Sequence, residues 1–376
     1  GWHNNSDPNA QGAYCMSRPV NFSAGPSMIP VDVLESLAAN MVDYEGTGLS
    51  LVEVSHRGAV YDEVHNDTIS LLKELMEIPE GYSVLFIGGG ATLQFSMLPM
   101  NLMLPGGSAD YVNSGTWAKK AIAEAKKVGR VNVLFDGSEG GYKSLPDPTA
   151  LKPSAGSSYL HITSNETIGG IQFKSFPETG DVPLIADMSS DILSRPVDVS
   201  KFGMIYAGAQ KNLGPSGVVI LIIRDDLLER SSDSLGAYLN YSVHAKANSL
   251  YNTPPVFPIW GIKLVLEGVK ARGGAGALAK ENGAQAAVLY DAIDGSGGFY
   301  RSPVDKTVRS SMNIVWRLAD EDKEAVFIKE AAEAGMIGLK GHRSVGGCRA
   351  SLYNAMTMEG VKRLTSFMAD FAAKNG

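Results

Sequence analysis

A chain of 376 residues, 44% hydrophobic and 19% charged, has the balance of a folded globular protein and the length for two or three domains. Its formal net charge of -7 argues against a nucleic-acid or lipid-surface binder, so an anionic ligand must be met by a local cationic site. Two cysteines, Cys15 and Cys348, make no disulfide framework and fit a reducing, cytoplasmic setting, and no apolar run approaches the roughly 18 residues of a membrane span.

Residues 1–15 (GWHNNSDPNAQGAYC) are polar and lack the apolar core of a signal peptide. They read as a non-native remnant or a loose extension, with Met16 the expected native start; a short native arm is the alternative. Leu34, Leu37, Ala38 and Met41 then space an apolar stripe along one helix, and Val60, Val64, Thr68, Leu71, Leu72 and Leu75 along another. Short runs without alternation follow at 83–87 (SVLFI), 110–112, 159–163 (YLHIT), 184–187 (LIAD), 203–207 (GMIYA) and 218–223 (VVILII). Strands covered on both faces look like this, and their alternation with helical segments predicts an α/β fold with a mainly parallel sheet. After about residue 272 the pattern changes. Helical segments near 276–293, 322–335 and 359–374 flank strand-like stretches at 313–318 and 349–353, which predicts a smaller α+β domain over 273–376. The large domain is expected over 16–272, with 16–30 an arm that packs with the small domain.

Three stretches carry chemistry. In Gly203-Met-Ile-Tyr-Ala-Gly-Ala-Gln-Lys211-Asn-Leu-Gly-Pro-Ser-Gly217 a lone lysine is wedged between two apolar strands. Desolvation lowers an ammonium pKa, and a neutral amine is what a Schiff base requires; the bland alternative is a surface lysine on a connecting loop. Asp187 ends the strand at 184–187, the edge at which open α/β sheets bind ligands. A carboxylate there can keep a pyridine nitrogen protonated, though an Asp before Ser-Ser also caps a helix well. In Ile87-Gly-Gly-Gly-Ala-Thr-Leu-Gln-Phe95 a strand ends in glycines and a helix follows, a geometry that cradles phosphate and is also common simply as a turn. It matches neither the Walker loop nor the dinucleotide fingerprint.

In this order the three stretches resemble the phosphoserine aminotransferases, a class V branch of the fold-type-I pyridoxal-phosphate (PLP) enzymes. Further stretches strengthen the resemblance: Asn21-Phe-Ser-Ala-Gly-Pro26, Glu53-Val-Ser-His-Arg-Gly58, Ser164-Asn-Glu-Thr-Ile-Gly169, Ser194-Arg-Pro196, Asn252-Thr-Pro-Pro255, Lys340-Gly-His-Arg343 and Gly346-Gly-Cys-Arg-Ala-Ser351. The resemblance implies that Lys211 is the Schiff-base lysine and Asp187 the partner of the pyridine nitrogen. It implies that Trp117 stacks on the cofactor, that Thr167 bonds near its 3-oxygen, and that Ala91, Thr92 and Gln210 meet its phosphate. Some bacterial members carry Gly-Arg where this chain has Ala91-Thr92, so neutral donors carry more of the phosphate binding here. Asn252 and Thr253 are expected to reach the phosphate in the neighbouring subunit of a homodimer.

Arg349 matches the clamp on the substrate α-carboxylate, and His56, Arg57, His342 and Arg343 match the site for the distal anion. The implied substrates are phosphoserine, glutamate, 2-oxoglutarate and 3-phosphooxypyruvate, with 4-phosphohydroxythreonine of vitamin B6 synthesis a further substrate of some members. No metal is implied. Rival readings are a serine–pyruvate or alanine–glyoxylate type enzyme, which would keep Lys211 and Asp187 without needing the His-Arg pairs; a cysteine desulfurase built on Cys348; and a non-catalytic α/β protein that binds an anion at 88–90.

Overall fold

The β-branched runs assemble into one seven-stranded sheet. In the computed structural model, which describes residues 18–376, its strands lie in the order Tyr82–Ile87, Val219–Arg224, Met204–Gly208, Leu184–Asp187, Leu160–Thr163, Ser108–Asn113 and Arg130–Asp136. The expectations for residues 1–15, Cys15 and the Met16 start lie outside the described residues. Val219–Arg224 is antiparallel to both of its neighbours. The remaining pairings are parallel, which makes the sheet mainly parallel. No described helix is long and apolar enough to cross a membrane.

The central strands are buried on both faces because helices cover both. On one face Ile162, Ala186, Ile205 and Ile220 pack with Leu72, Ile259, Ile262 and Leu266 of the helices Ala59–Leu75 and Val256–Ala271. On the other, Tyr111, Ile185, Tyr206 and Leu221 meet Phe95, Leu98, Ala121 and Ile122 of the helices Gly90–Leu102 and Thr116–Ala125. Each fully buried Ile or Leu contributes about 2 kcal/mol relative to an exposed one. The edge strand Arg130–Asp136 has no fully buried residue, and sequence reasoning did not find it.

A second core gathers Phe22, Trp316, Phe327, Leu364 and Phe371. It lies among the helices Gly274–Asp294, Glu324–Glu333 and Met358–Asn375 and an antiparallel sheet of Tyr300–Arg301, Asn313–Leu318 and Cys348–Ser351. The strand expected to reach 353 ends at Ser351, where the Leu352 N–H turns to the Met312 carbonyl at 2.6 Å. Near its start the chain belongs to this second core: Val20–Asn21 pairs in parallel with Met336–Ile337, and Phe22 is fully buried. The chain then crosses to the large sheet, where Ser27 Oγ donates to the Lys211 carbonyl at 2.7 Å. Gly273 and Gly274 join the helices Val256–Ala271 and Gly274–Asp294 at φ values of +94° and +74°, the left-handed region that favours glycine.

Candidate active site

At the ends of the central strands lies a cavity of about 250 Å³. Its wall includes Ala91, Thr92, Trp117, Thr167, Asp187, Gln210, Lys211, His342 and Arg349, nine of the residues singled out in the sequence.

Lys211 sits in the turn between the antiparallel strands Met204–Gly208 and Val219–Arg224. The residue keeps some accessible surface, but its amine is packed round by protein, and burial lowers its pKa to about 8 against the pull of Asp187. Lys211 Nζ donates to Thr167 Oγ1 at 2.6 Å and stands 5.5 Å from the centre of the Trp117 ring. Gly25 makes room for the side chain, since a Cβ there would lie 3.0 Å from Lys211 Cγ.

Asp187 ends its strand with only 5% of its surface exposed. Burial raises its pKa, opposed first by hydrogen bonds from Ser189 and then by the Lys211 charge. The Ser189 N–H donates to Asp187 Oδ1 at 2.9 Å, so the aspartate makes the local turn that its Ser-Ser neighbours suggested while facing the cavity. Ser189 Oγ in turn accepts the Gly208 N–H at 3.0 Å and ties the aspartate strand to the lysine strand.

The glycine run becomes the start of the helix Gly90–Leu102, with Gly89 at φ +85° and Gly90 at +62°. The first amides of a helix have no intrahelical acceptor. Gly90, Ala91 and Thr92 line the cavity, so these N–H groups form a cradle for a phosphate.

Arg349 donates one guanidinium N–H to the Thr167 carbonyl at 3.3 Å, while its Nε is buried with no partner among the described residues. Among the described residues no carboxylate pairs with it, and burial lowers its pKa. A largely buried guanidinium without a counter-ion is costly unless an anion arrives. His342 shares the wall, and its pKa is lowered by burial first and then by the charges of Arg349, Arg343 and Lys120. Lys120, which sequence reasoning missed, stands 4.5 Å over the Trp117 ring.

Not every expected residue joins this cavity. Within one chain His56, Arg57, Asn252, Thr253 and Arg343 are absent from its wall. Arg57, Asn252, Thr253 and Arg343 are exposed, and His56 is half-buried with its Nε2 unpartnered among the described residues. Glu166 also went unread. It is fully buried behind the cavity, and burial raises its pKa to about 7 against hydrogen bonds from Ala118 and Trp117. Cys348 is a buried free thiol whose pKa is pushed up by burial, which removes it as a nucleophile. No cluster of metal ligands occurs among the described residues.

Comparison with known proteins gives a consistent picture. The family described as aminotransferase class-V matches residues 20–364. A phosphoserine aminotransferase of Lysinibacillus sphaericus is 51% identical over 95% of this chain and 99% of its own. The solved phosphoserine aminotransferase from Bacillus circulans subsp. alkalophilus superposes with a TM-score of 0.94 at 51% identity, covering 96% of this chain and 99% of that one. A PLP-bound phosphoserine aminotransferase from Trichomonas vaginalis gives 0.86 at 36% identity over 94% and 100% of the two chains. An alanine–glyoxylate aminotransferase from Nostoc, at 15% identity and a TM-score of 0.72 over 97% and 98%, shares the fold alone.

Proposed function

Because this chain belongs to the class-V aminotransferase family, we propose that it exchanges an amino group between L-glutamate and 3-phosphooxypyruvate, giving 2-oxoglutarate and O-phospho-L-serine. The observation that carries the reading is the enclosed Lys211 amine, sharing one cavity with Asp187 and with an Arg349 that has no counter-ion among the described residues.

The donor set fits PLP. Lys211 is the amine for its aldehyde, and Asp187 the acid for its ring nitrogen. The amides at Gly90–Thr92 and the side chains of Thr92 and Gln210 would hold its phosphate, and Thr167 and Trp117 would hold its ring. Bound there, PLP supplies a protonated ring that withdraws electrons from the substrate α-carbon. Lys211 Nζ, with its pKa lowered to about 8, would in its neutral form take the α-proton and pass it to the carbon that PLP carries as its aldehyde, and would make the reverse transfer in the second half-reaction. Asp187 keeps the ring nitrogen protonated. Arg349 offers a planar fork to the α-carboxylate. At the distal end His342 is poised to respond to charge. Burial first and then nearby cations depress its pKa, and an incoming phosphate dianion would offset the cations' part of that push and favour the doubly donating imidazolium.

The remaining anion ligands belong to a homodimer. The exposed Arg57, Asn252 and Thr253 lie on segments that also expose Leu49, Val52 and Tyr251, and apolar groups left in water beside polar ones are what subunit contact covers. Asn252 and Thr253 then complete the neighbour's phosphate site, and His56 and Arg57 are proposed for the distal anion. Cys348 as a free thiol fits a cytoplasmic enzyme.

The test is chemical. Borohydride reduction of the yellow protein followed by peptide mass mapping should fix the cofactor on Lys211, and Lys211→Ala should lose turnover. Phosphoserine should be a far better amino donor than alanine. A label elsewhere removes Lys211, and a preference for alanine favours the alanine–glyoxylate type.

A further inference from the structure

We propose that Glu166 is the positioning residue that holds the Trp117 ring against the cofactor site. The proposal rests on the function proposed above and adds to it the means by which the ring is placed.

Trp117 is the second residue of the helix Thr116–Ala125, and the cap residue, Gly115, has no side chain with which to bond that end. Glu166, from a different element, does so instead. One carboxylate oxygen accepts the Trp117 N–H at 3.2 Å, and the other accepts the Ala118 N–H at 3.0 Å and the Ser114 hydroxyl at 3.2 Å. An anion at a helix N-terminus meets both unpaired donors and a favourable dipole. Gly115 makes the approach possible, because a Cβ there would lie 2.5 Å from Glu166 Cδ. The indole itself contributes no anchor: its Nε1 is buried with no hydrogen-bond partner among the described residues. The ring is therefore held through its backbone and its packing.

The next residue, Thr167, receives the Lys211 amine. Two adjacent residues thus hold the cavity's stacking ring and its amine, and a shift of Glu166 alters the spacing between them.

Glu166→Gln is a discriminating variant. Above the Glu166 pKa of about 7 the carboxylate offers an acceptor to all three donors, whereas an amide presents its NH2 to at least one of them, a donor facing a donor, so the comparison is made at about pH 8. Cofactor affinity is measured by equilibrium dialysis for the wild type, E166Q, W117A and the double variant, with the circular dichroism of the bound-cofactor band as a spectroscopic readout. E166Q should weaken PLP binding about tenfold and diminish the band when Trp117 is present. In the W117A background it should change affinity by less than about twofold, because a residue that acts through another loses its effect once that other is gone. Gly115→Ala, which displaces the carboxylate while leaving it in the chain, should give the same non-additive pattern and serves if E166Q does not fold. Equal losses in both backgrounds, as expected if Glu166 acted through Thr167 or through general stability, would overturn the proposal, and so would no loss in either. A wild type that binds no PLP would overturn the proposed function and this role together; binding with an additive cycle overturns this role alone.

Discussion

At Lys211 the governing quantity is the cost of keeping an ammonium ion away from water. Burial brings its pKa from the ordinary 10.5 down to about 8, and only the neutral form has the lone pair that attacks an aldehyde. Lowering a lysine pKa enlarges the neutral fraction at every pH below 10.5, and the neutral form becomes the major one from about pH 8 instead of from 10.5. The apo enzyme should therefore capture PLP with a rate constant that climbs about tenfold per pH unit below 8 and levels off above it. Stopped-flow absorbance reads this directly, and a rate still climbing at pH 10 would mean an unperturbed amine. Lys211 and Asp187 were legible in the sequence because each stands at the end of an apolar strand, where a lone charge is conspicuous. Glu166 was not. Its burial depends on Gly115, some fifty residues earlier, leaving a gap that only the folded chain reveals. Lys120 escaped for the opposite reason: on an exposed helical surface it looks like any solvated lysine until the Trp117 ring beneath it is seen.

Among the elements, the glycine turn at 88–90 bears most directly on the site. Gly89 combines a φ of +85° with a position at which a Cβ would come within 2.6 Å of the Leu93 side chain. Gly89→Ala should cost about 1–3 kcal/mol of stability from backbone strain alone, read by urea denaturation. It should also weaken phosphate-dependent cofactor binding, since Leu93 must yield and the first turn of the helix with it. A variant as stable as the wild type would show that the turn adopts another conformation. Element patterning was readable where burial was uniform. The runs at 83–87, 184–187 and 218–223 stood out because both of their faces are covered. Arg130–Asp136 did not, because as an edge strand it mixes Arg, Asn and Asp with its apolar residues and shows neither a continuous apolar run nor a clean alternation. Strand direction was less legible than strand existence. The stretch from Ala209 to Val218 is too short for a helical crossover, and it returns the chain antiparallel, placing Lys211 in a hairpin turn beside the parallel strand that carries Asp187.

For the whole molecule, the decisive question is whether one chain builds a complete site. The cavity of a single chain holds Lys211, Asp187, Trp117 and Arg349 but not Asn252 or Thr253, which stand exposed on its surface. In a two-fold symmetric dimer, whatever one subunit gives its neighbour it also receives. Consider Lys211→Ala and a double variant, Asn252→Ala with Thr253→Ala, each impaired as a homodimer at limiting PLP. If Asn252 and Thr253 act across the interface, a mixed dimer concentrates both defects in one site and leaves the other site whole. Random mixing of equal amounts, after dissociation and reassociation, makes half of the dimers mixed, each with one intact site of two, so activity should return to about a quarter of the wild-type value. If the two residues served their own subunit's site, every site in the mixed dimer would carry one defect and mixing would restore nothing. The recovered activity thus measures whether the phosphate site is shared, and it does so without requiring that either variant be wholly inactive, because recovery above the mean of the two unmixed variants arises only from complementation.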